Sequence, residues 1–109
     1  MEDWKSEEEA ACRYLAKKGF RIDDRNFRLK IGEIDIVASR GDLLVFCEVK
    51  SRSNANYGKP FEAVTPLKRA RLRRVAEAYL AIKKPSFKDA RFDVISIEGG
   101  DIQHIENAF

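Results

Sequence analysis

The tightest constraint in this chain is a pair of alternating segments set around one short turn. From Glu33 to Ser39, Glu33, Asp35 and Val37 fall on one side of an extended backbone and Ile34, Ile36 and Ala38 on the other. Arg40-Gly41-Asp42 interrupts the pattern, and Leu43 to Lys50 follows it. Two such runs joined by a short glycine-containing turn predict an antiparallel hairpin. A two-residue turn at Gly41-Asp42 pairs Arg40 with Leu43, so that the numbers of opposing residues sum to 83. In this register Asp35 faces Glu48 and Glu33 faces Lys50, and the period of two puts all four on the same side of the sheet. Directly opposed residues have Cβ atoms about 4.5–5.5 Å apart, where two carboxylates repel each other unless a cation neutralises them.

The chemistry of that cation is bounded by composition. One histidine and two cysteines are too few for a zinc cage. Oxygen ligands favour Mg²⁺ or Mn²⁺, and Mg²⁺ takes one or two carboxylates together with waters and phosphate oxygens. Lys50, two residues beyond Glu48, projects beside such an ion, where an ammonium orients water and offsets charge developing on a phosphate. Acid, acid and lysine make a phosphodiesterase set. The bland account is also available: Glu48 and Lys50 alternate with Val45, Cys47 and Val49 as on any solvated sheet face, and Glu33 with Lys50 makes an ordinary cross-strand ion pair.

The remaining elements follow from periodicity. Glu2 to Lys18 is expected to be a helix with Trp4, Ala11, Cys12 and Leu15 on its apolar face, stopped at Gly19. Phe20 to Arg28 predicts a strand whose alternation slips at Asp23-Asp24. Ser51 to Pro60 is polar and aperiodic, a surface loop. Thr65-Pro66 supplies a cap and a first-turn proline for a second helix to about Ile82, with Leu67, Ala70 or Arg71, Val75, Tyr79 and Ile82 running down it. Arg91 to Glu98 is a strand, and Gly99-Gly100 turns it into a short partner at Asp101 to Ile105. The order α-β-β-β-α-β-β defines an α/β domain, a central mixed sheet flanked by helices. At 109 residues the chain has room for one domain, 1–109.

A 36% charged fraction surrounds an ordinary 44% apolar content, and no run approaches the roughly 18 apolar residues of a membrane span. The acidic start, Met-Glu-Asp-Trp, does not resemble an export signal, so the chain is expected in the cytoplasm, away from membranes, with Cys12 and Cys47 expected as free thiols. Residues 1–10 carry a net charge of −4 and residues 50–74 a net charge of +7. Five of the seven residues from Lys68 to Arg74 are cationic at the positive end of a helix dipole, which opposes helix stability and suits a phosphate backbone. Lys68, Arg69, Arg71, Arg73 and Arg74, with Arg52 and Lys59, are therefore the expected phosphate contacts to nucleic acid. Glu8 shares a helix face with Trp4, Ala11, Cys12 and Leu15, so its carboxylate needs a partner, either an arginine or, as a third acid, the metal. Tyr57 and Phe61 suit base stacking and helix-entry packing equally. Asp93 is expected to pair with a nearby arginine, and His104, beside Ile102 and Ile105, to be structural.

These residues belong to a wider pattern: Glu8-x-x-Ala11-x-x-Tyr14-Leu15, Gly19-Phe20, Arg25-Asn26-Phe27-Arg28, Gly32-Glu33-Ile34-Asp35, Val45-Phe46-Cys47-Glu48-Val49-Lys50-Ser51-Arg52, Gly58-x-Pro60, Glu62-Ala63-Val64, Arg91-Phe92-Asp93-Val94 and His104-Ile105-Glu106-Asn107-Ala108-Phe109. Nearly end to end, it resembles the YraN-type family of small bacterial proteins with a restriction-endonuclease-like fold. Its acid, acid-x-lysine core is also similar to that of archaeal-type Holliday-junction resolvases, which likewise place a glutamate on the first helix. The resemblance implies a nuclease site at Glu8, Asp35, Glu48 and Lys50. Asp35, Glu48 and the Val49 carbonyl would hold Mg²⁺ or Mn²⁺, Glu8 would complete or tune the metal site, and Lys50 would assist the nucleophile. The implied substrate is DNA, branched or otherwise structured, and a symmetric homodimer is expected by analogy. One departure is Glu7, where the family usually has glycine; its charge bears on how Glu8 approaches a metal. The rival readings are a nucleic-acid-binding module of a repair or uptake complex that does not cleave, and a purely structural interaction domain.

Overall fold

A computed structural model of the chain describes residues 4–51 and 65–109, with side chains from Glu7 onward in the first of these segments. Arg52, Tyr57, Lys59 and Phe61, most of the expected loop and the Trp4 side chain lie outside the described residues. Seven elements follow in the predicted order: α1 (Trp4–Lys17), β1 (Arg21–Leu29), β2 (Gly32–Arg40), β3 (Leu43–Ser51), α2 (Pro66–Lys83), β4 (Asp89–Glu98) and β5 (Asp101–Ile105). The strands form one mixed sheet in sequential order, antiparallel except where β3 and β4 run parallel across the connection that contains α2.

Each helix covers one face of this sheet. Side chains alternate across a strand, so β3 sends Leu44 and Phe46 one way and Val45 and Cys47 the other. Leu44 and Phe46 join Leu72, Val75, Ala76 and Tyr79 of α2, and Val45 and Cys47 join Ala11 and Leu15 of α1. Thr65 caps α2 by accepting the Lys68 N–H at 3.2 Å, and Pro66 opens its first turn, as the sequence predicts. The buried stripe of α2 is rotated from the expected one. Leu72, Val75, Ala76 and Tyr79 face the sheet, while Leu67 and Ile82 are 63% and 60% exposed. Leu67 is five positions before Leu72, about 140° around the helix from it, and Ile82 sits in the last turn, outside that stripe.

Two glycine turns behave as predicted. Gly99 and Gly100 both take positive φ, 58° and 89°, and bring Glu98 opposite Asp101. At the other hairpin Arg40 pairs with Leu43, and the predicted register holds from there to Ile36 with Cys47. Beyond that pair the alternation of β2 breaks. Ile36 and Ala38 face α1, but Ile34 faces α2 together with Val37. The neighbouring strand reverses at the same level, where Asn26 adopts φ 54°, a left-handed conformation that asparagine tolerates better than most residues. The strict period of two that would align Glu33, Asp35, Glu48 and Lys50 on one side is therefore lost. The edge strand β1 is tied to α2 through the Tyr79 hydroxyl, which donates to Asp24 Oδ2 at 2.6 Å.

Candidate active site

The reversal opens a cleft where β2 and β3 cease to pair. Asp35 reaches across it and accepts the backbone N–H of Val49 on Oδ2 at 2.8 Å, so a side chain replaces the missing strand partner. Asp35, Glu48 and Val49 line a pocket of about 300 Å³ together with Glu8, Glu33 and Arg28. Four carboxylates against one guanidinium make the lining of this pocket acidic on balance. Burial, reinforced by the charge of Glu48 and opposed by the Val49 N–H, pushes the Asp35 carboxyl up to about 7.

Glu8 arrives from α1 with Ala11 and Leu15, both fully buried, and is itself 6% exposed, as its helical spacing predicts. Its partner within the protein is an asparagine and not the arginine considered from sequence. Both carboxylate oxygens accept the Asn26 side-chain amide, at 3.0 and 3.2 Å, and the same amide donates to Glu33 at 2.9 Å. The left-handed backbone of Asn26 is thus what sends its amide between two acids. Glu33 also accepts Arg28 at 3.3 Å, so it is turned toward β1, and the expected Glu33–Lys50 pair is replaced by these contacts. Glu7, in the position where glycine was expected, has a buried Oε1 with no hydrogen-bond partner among the described residues.

Glu48 is neutralised from the other side. Lys50 Nζ lies 3.2 Å from Glu48 Oε2, and Lys68 Nζ, from the first turn of α2, lies 2.7 Å from the same oxygen. Burial and the neighbouring Lys68 lower the Lys50 ammonium pKa, whereas for Lys68 bonding to Glu48 outweighs burial and raises it. Lys68, expected among the phosphate contacts, is therefore a member of the carboxylate cluster. Its position four residues before Leu72 on the inward stripe is the sequence signal for this placement.

The other basic residues of α2 do not share one face. Arg71, Arg73 and Arg74 are exposed. The Arg69 guanidinium lies over the Phe109 ring at 5.5 Å, and Arg73 borders a separate pocket with Phe46 and Phe92.

The donor set suits a hard cation that retains much of its own water. Asp35 and Glu48 offer two carboxylates in an acidic pocket, the number typical for Mg²⁺. Among the described residues no three acidic, cysteine or histidine side chains are gathered as a metal-chelating group. Glu8 would serve as a third protein ligand through the lone pairs that its bonds to Asn26 leave unused, or in place of those bonds.

Asp93 forms a second, separate polar centre. It is fully buried and accepts Arg91 at 3.0 and 3.2 Å and the Asn107 N–H at 2.9 Å, and it pairs with His104 Nε2 at 2.7 Å. His104 Nδ1 lies 2.9 Å from the Tyr14 hydroxyl, joining β5 to α1. The arginine expected for Asp93 is Arg91, and the His104 side chain is 5% exposed within this centre, away from the pocket. Cys12 and Cys47 are free thiols. Among the described residues no helix is long and apolar enough to cross a membrane.

The mixed five-stranded sheet between two helices, in the order α-β-β-β-α-β-β, with an acid, acid-x-lysine set at a strand fork, defines the class of α/β domain that the sequence pattern implies. Residues 7–97 match the family described as Uncharacterised protein family UPF0102. The chain belongs to this family. UPF0102 proteins of Syntrophomonas wolfei and Pelotomaculum thermopropionicum are 46% and 47% identical to it, each over 94% of this chain and over 92% and 90% of their own lengths. A UPF0102 protein of Dictyoglomus thermophilum is 46% identical over 88% of this chain and 86% of its own.

Proposed function

We propose that this protein is a divalent-metal-dependent nuclease that hydrolyses phosphodiester bonds in DNA, with branched or otherwise structured DNA as its substrate and the cytoplasm as its place of action. The observation that carries the reading is the crossing of the strand fork by Asp35, which brings it into one acidic pocket with Glu48. Asp35, Glu48 and the Val49 carbonyl are the residues that would hold Mg²⁺ or Mn²⁺, with Glu8 tuning the site. A bound ion supplies water activation and charge neutralisation at the phosphate. The chain's own part is to fix Asp35 against the Val49 backbone N–H and Glu48 between Lys50 and Lys68. Lys50, held at 3.2 Å from Glu48, would orient the attacking water. Arg71, Arg73 and Arg74 are exposed on α2 and contact phosphates without reading sequence, with Arg52 and Lys59 contributing from residues 52–64.

The test is product formation with Mg²⁺ or Mn²⁺ on duplex, single-stranded and four-way DNA. Wild type is expected to cleave, and Asp35→Asn and Lys50→Ala to lose at least about a hundredfold in rate while retaining DNA binding. Salt-sensitive binding without product in either metal would instead identify a non-catalytic nucleic-acid-binding module.

A further inference from the structure

Glu48 has two ammonium neighbours, and the one bonded more closely comes from outside the acid-x-lysine segment. Lys68 Nζ is 2.7 Å from Glu48 Oε2, against 3.2 Å for Lys50. We propose that Lys68 is an exchangeable internal counterion: it holds Glu48 while the divalent ion is absent, yields that oxygen when the ion binds, and is then free to meet a phosphate oxygen of the nucleic acid. The proposal rests on the metal-dependent reading above.

Three features support it. Lys68 lies in the first turn of an 18-residue helix, fixed by its own N–H on the Thr65 cap, so its charge sits at the end of the helix dipole that repels cations. The Glu48 carboxylate offsets that repulsion, and a phosphate would do the same. Next, Lys68 and Lys50 converge on one oxygen, and a dication coordinated to Oε2 would stand at contact distance from an ammonium on the same atom. Like charges so placed repel strongly in a partly desolvated pocket, which favours release of one ammonium. Finally, Lys68 has somewhere to go. Its side chain is 37% exposed and borders a groove of about 410 Å³ with Gly32, Thr65 and Arg71, and a lysine stem reorients about four rotatable bonds.

The test needs no substrate. Mn²⁺ binding to wild type, Lys68→Gln and Arg74→Gln is measured by calorimetry without nucleic acid. Loss of the competing ammonium is expected to tighten Mn²⁺ binding about tenfold in Lys68→Gln, the scale of one charge-assisted hydrogen bond. Arg74→Gln, the same charge change elsewhere on the helix, is expected to stay within about twofold of wild type. In the unmutated protein, Mg²⁺ is expected to move the ¹⁵Nζ resonance of Lys68 toward that of a solvated ammonium. Equal or weaker Mn²⁺ binding by Lys68→Gln, or a Lys68 resonance unmoved by saturating Mg²⁺, overturns the counterion role and leaves the metal reading standing. If wild type and Lys68→Gln both bind no Mn²⁺, the metal reading itself has failed and the counterion role falls with it.

Discussion

Asp93 and Asp35 are carboxylates of one sheet, on β4 and β2, both withdrawn from solvent, and their surroundings are opposite in kind. Asp93 is enclosed by donors: Arg91, His104 and the Asn107 N–H surround it, and Tyr14 extends the network. Burial favours the protonated form of Asp93, yet these bonds hold its carboxyl below the ordinary carboxylate range. Asp35 receives one backbone N–H and faces Glu48, Glu8 and Glu33, and it is pushed up to about 7. The first arrangement resembles a structural clamp, whose charges are satisfied within the fold. The second is short of positive charge, the condition that an incoming cation relieves and a common mark of a functional site.

The comparison is most directly broken at Asp93. Asp93→Ala leaves an arginine, a histidine and a backbone N–H without their acceptor, and a loss of about 3–5 kcal/mol is expected from urea denaturation. Because the Asp93 carboxyl is depressed, its contribution is present above the ordinary carboxylate range near pH 4 and is lost as pH falls through the folded-state value. A wild-type acid-denaturation curve should therefore bend in that low window.

Asp35→Asn should act in the other direction. A carboxyl raised from 3.8 to about 7 favours the fold below the unfolded-state value, and that advantage disappears as pH rises through about 7. In the presence of chelator, the asparagine variant is expected to be more stable than wild type by about 1–2 kcal/mol at pH 8, after discounting for solvent screening, and indistinguishable near pH 4. Equal stability at both pH values would show that Asp35 is as well compensated as Asp93.

Two smaller effects sharpen the contrast. Tyr14→Phe removes only the hydroxyl at His104 and is expected to cost about 1 kcal/mol by the same denaturation assay. Arg74→Gln, on the exposed side of α2, should change stability by less than about 0.5 kcal/mol. Its effect belongs to DNA binding, where the slope of log affinity against log salt should fall by about 1.

Most of the frame was legible in local patterns. The turn at Gly41-Asp42 set the hairpin register, and the inward position of Glu8 followed from helical spacing with Ala11 and Leu15. Legibility ended where one residue left the regular backbone. At the level of Asn26, which takes a positive φ, Ile34 changes face and the Asn26 amide bonds both Glu33 and Glu8, and alternation counts cannot register such a break. On α2, Leu67 and Ile82 extended an apparent apolar stripe beyond the turns that meet the sheet. Lys68 was counted with its basic neighbours because charge composition does not reveal which of five cations faces inward; the carboxylate that selects it comes from β3.

The bond from Val49 to Asp35 has one more consequence. Backbone amides in a sheet normally answer to another backbone, but this one answers to an ionisable side chain. Its proton resonance should follow the charge on that carboxyl through a pH titration, and its deuterium exchange should slow or quicken with the same charge. One labelled peptide group thus acts as a built-in electrometer for the pocket, readable without mutation, substrate or added probe.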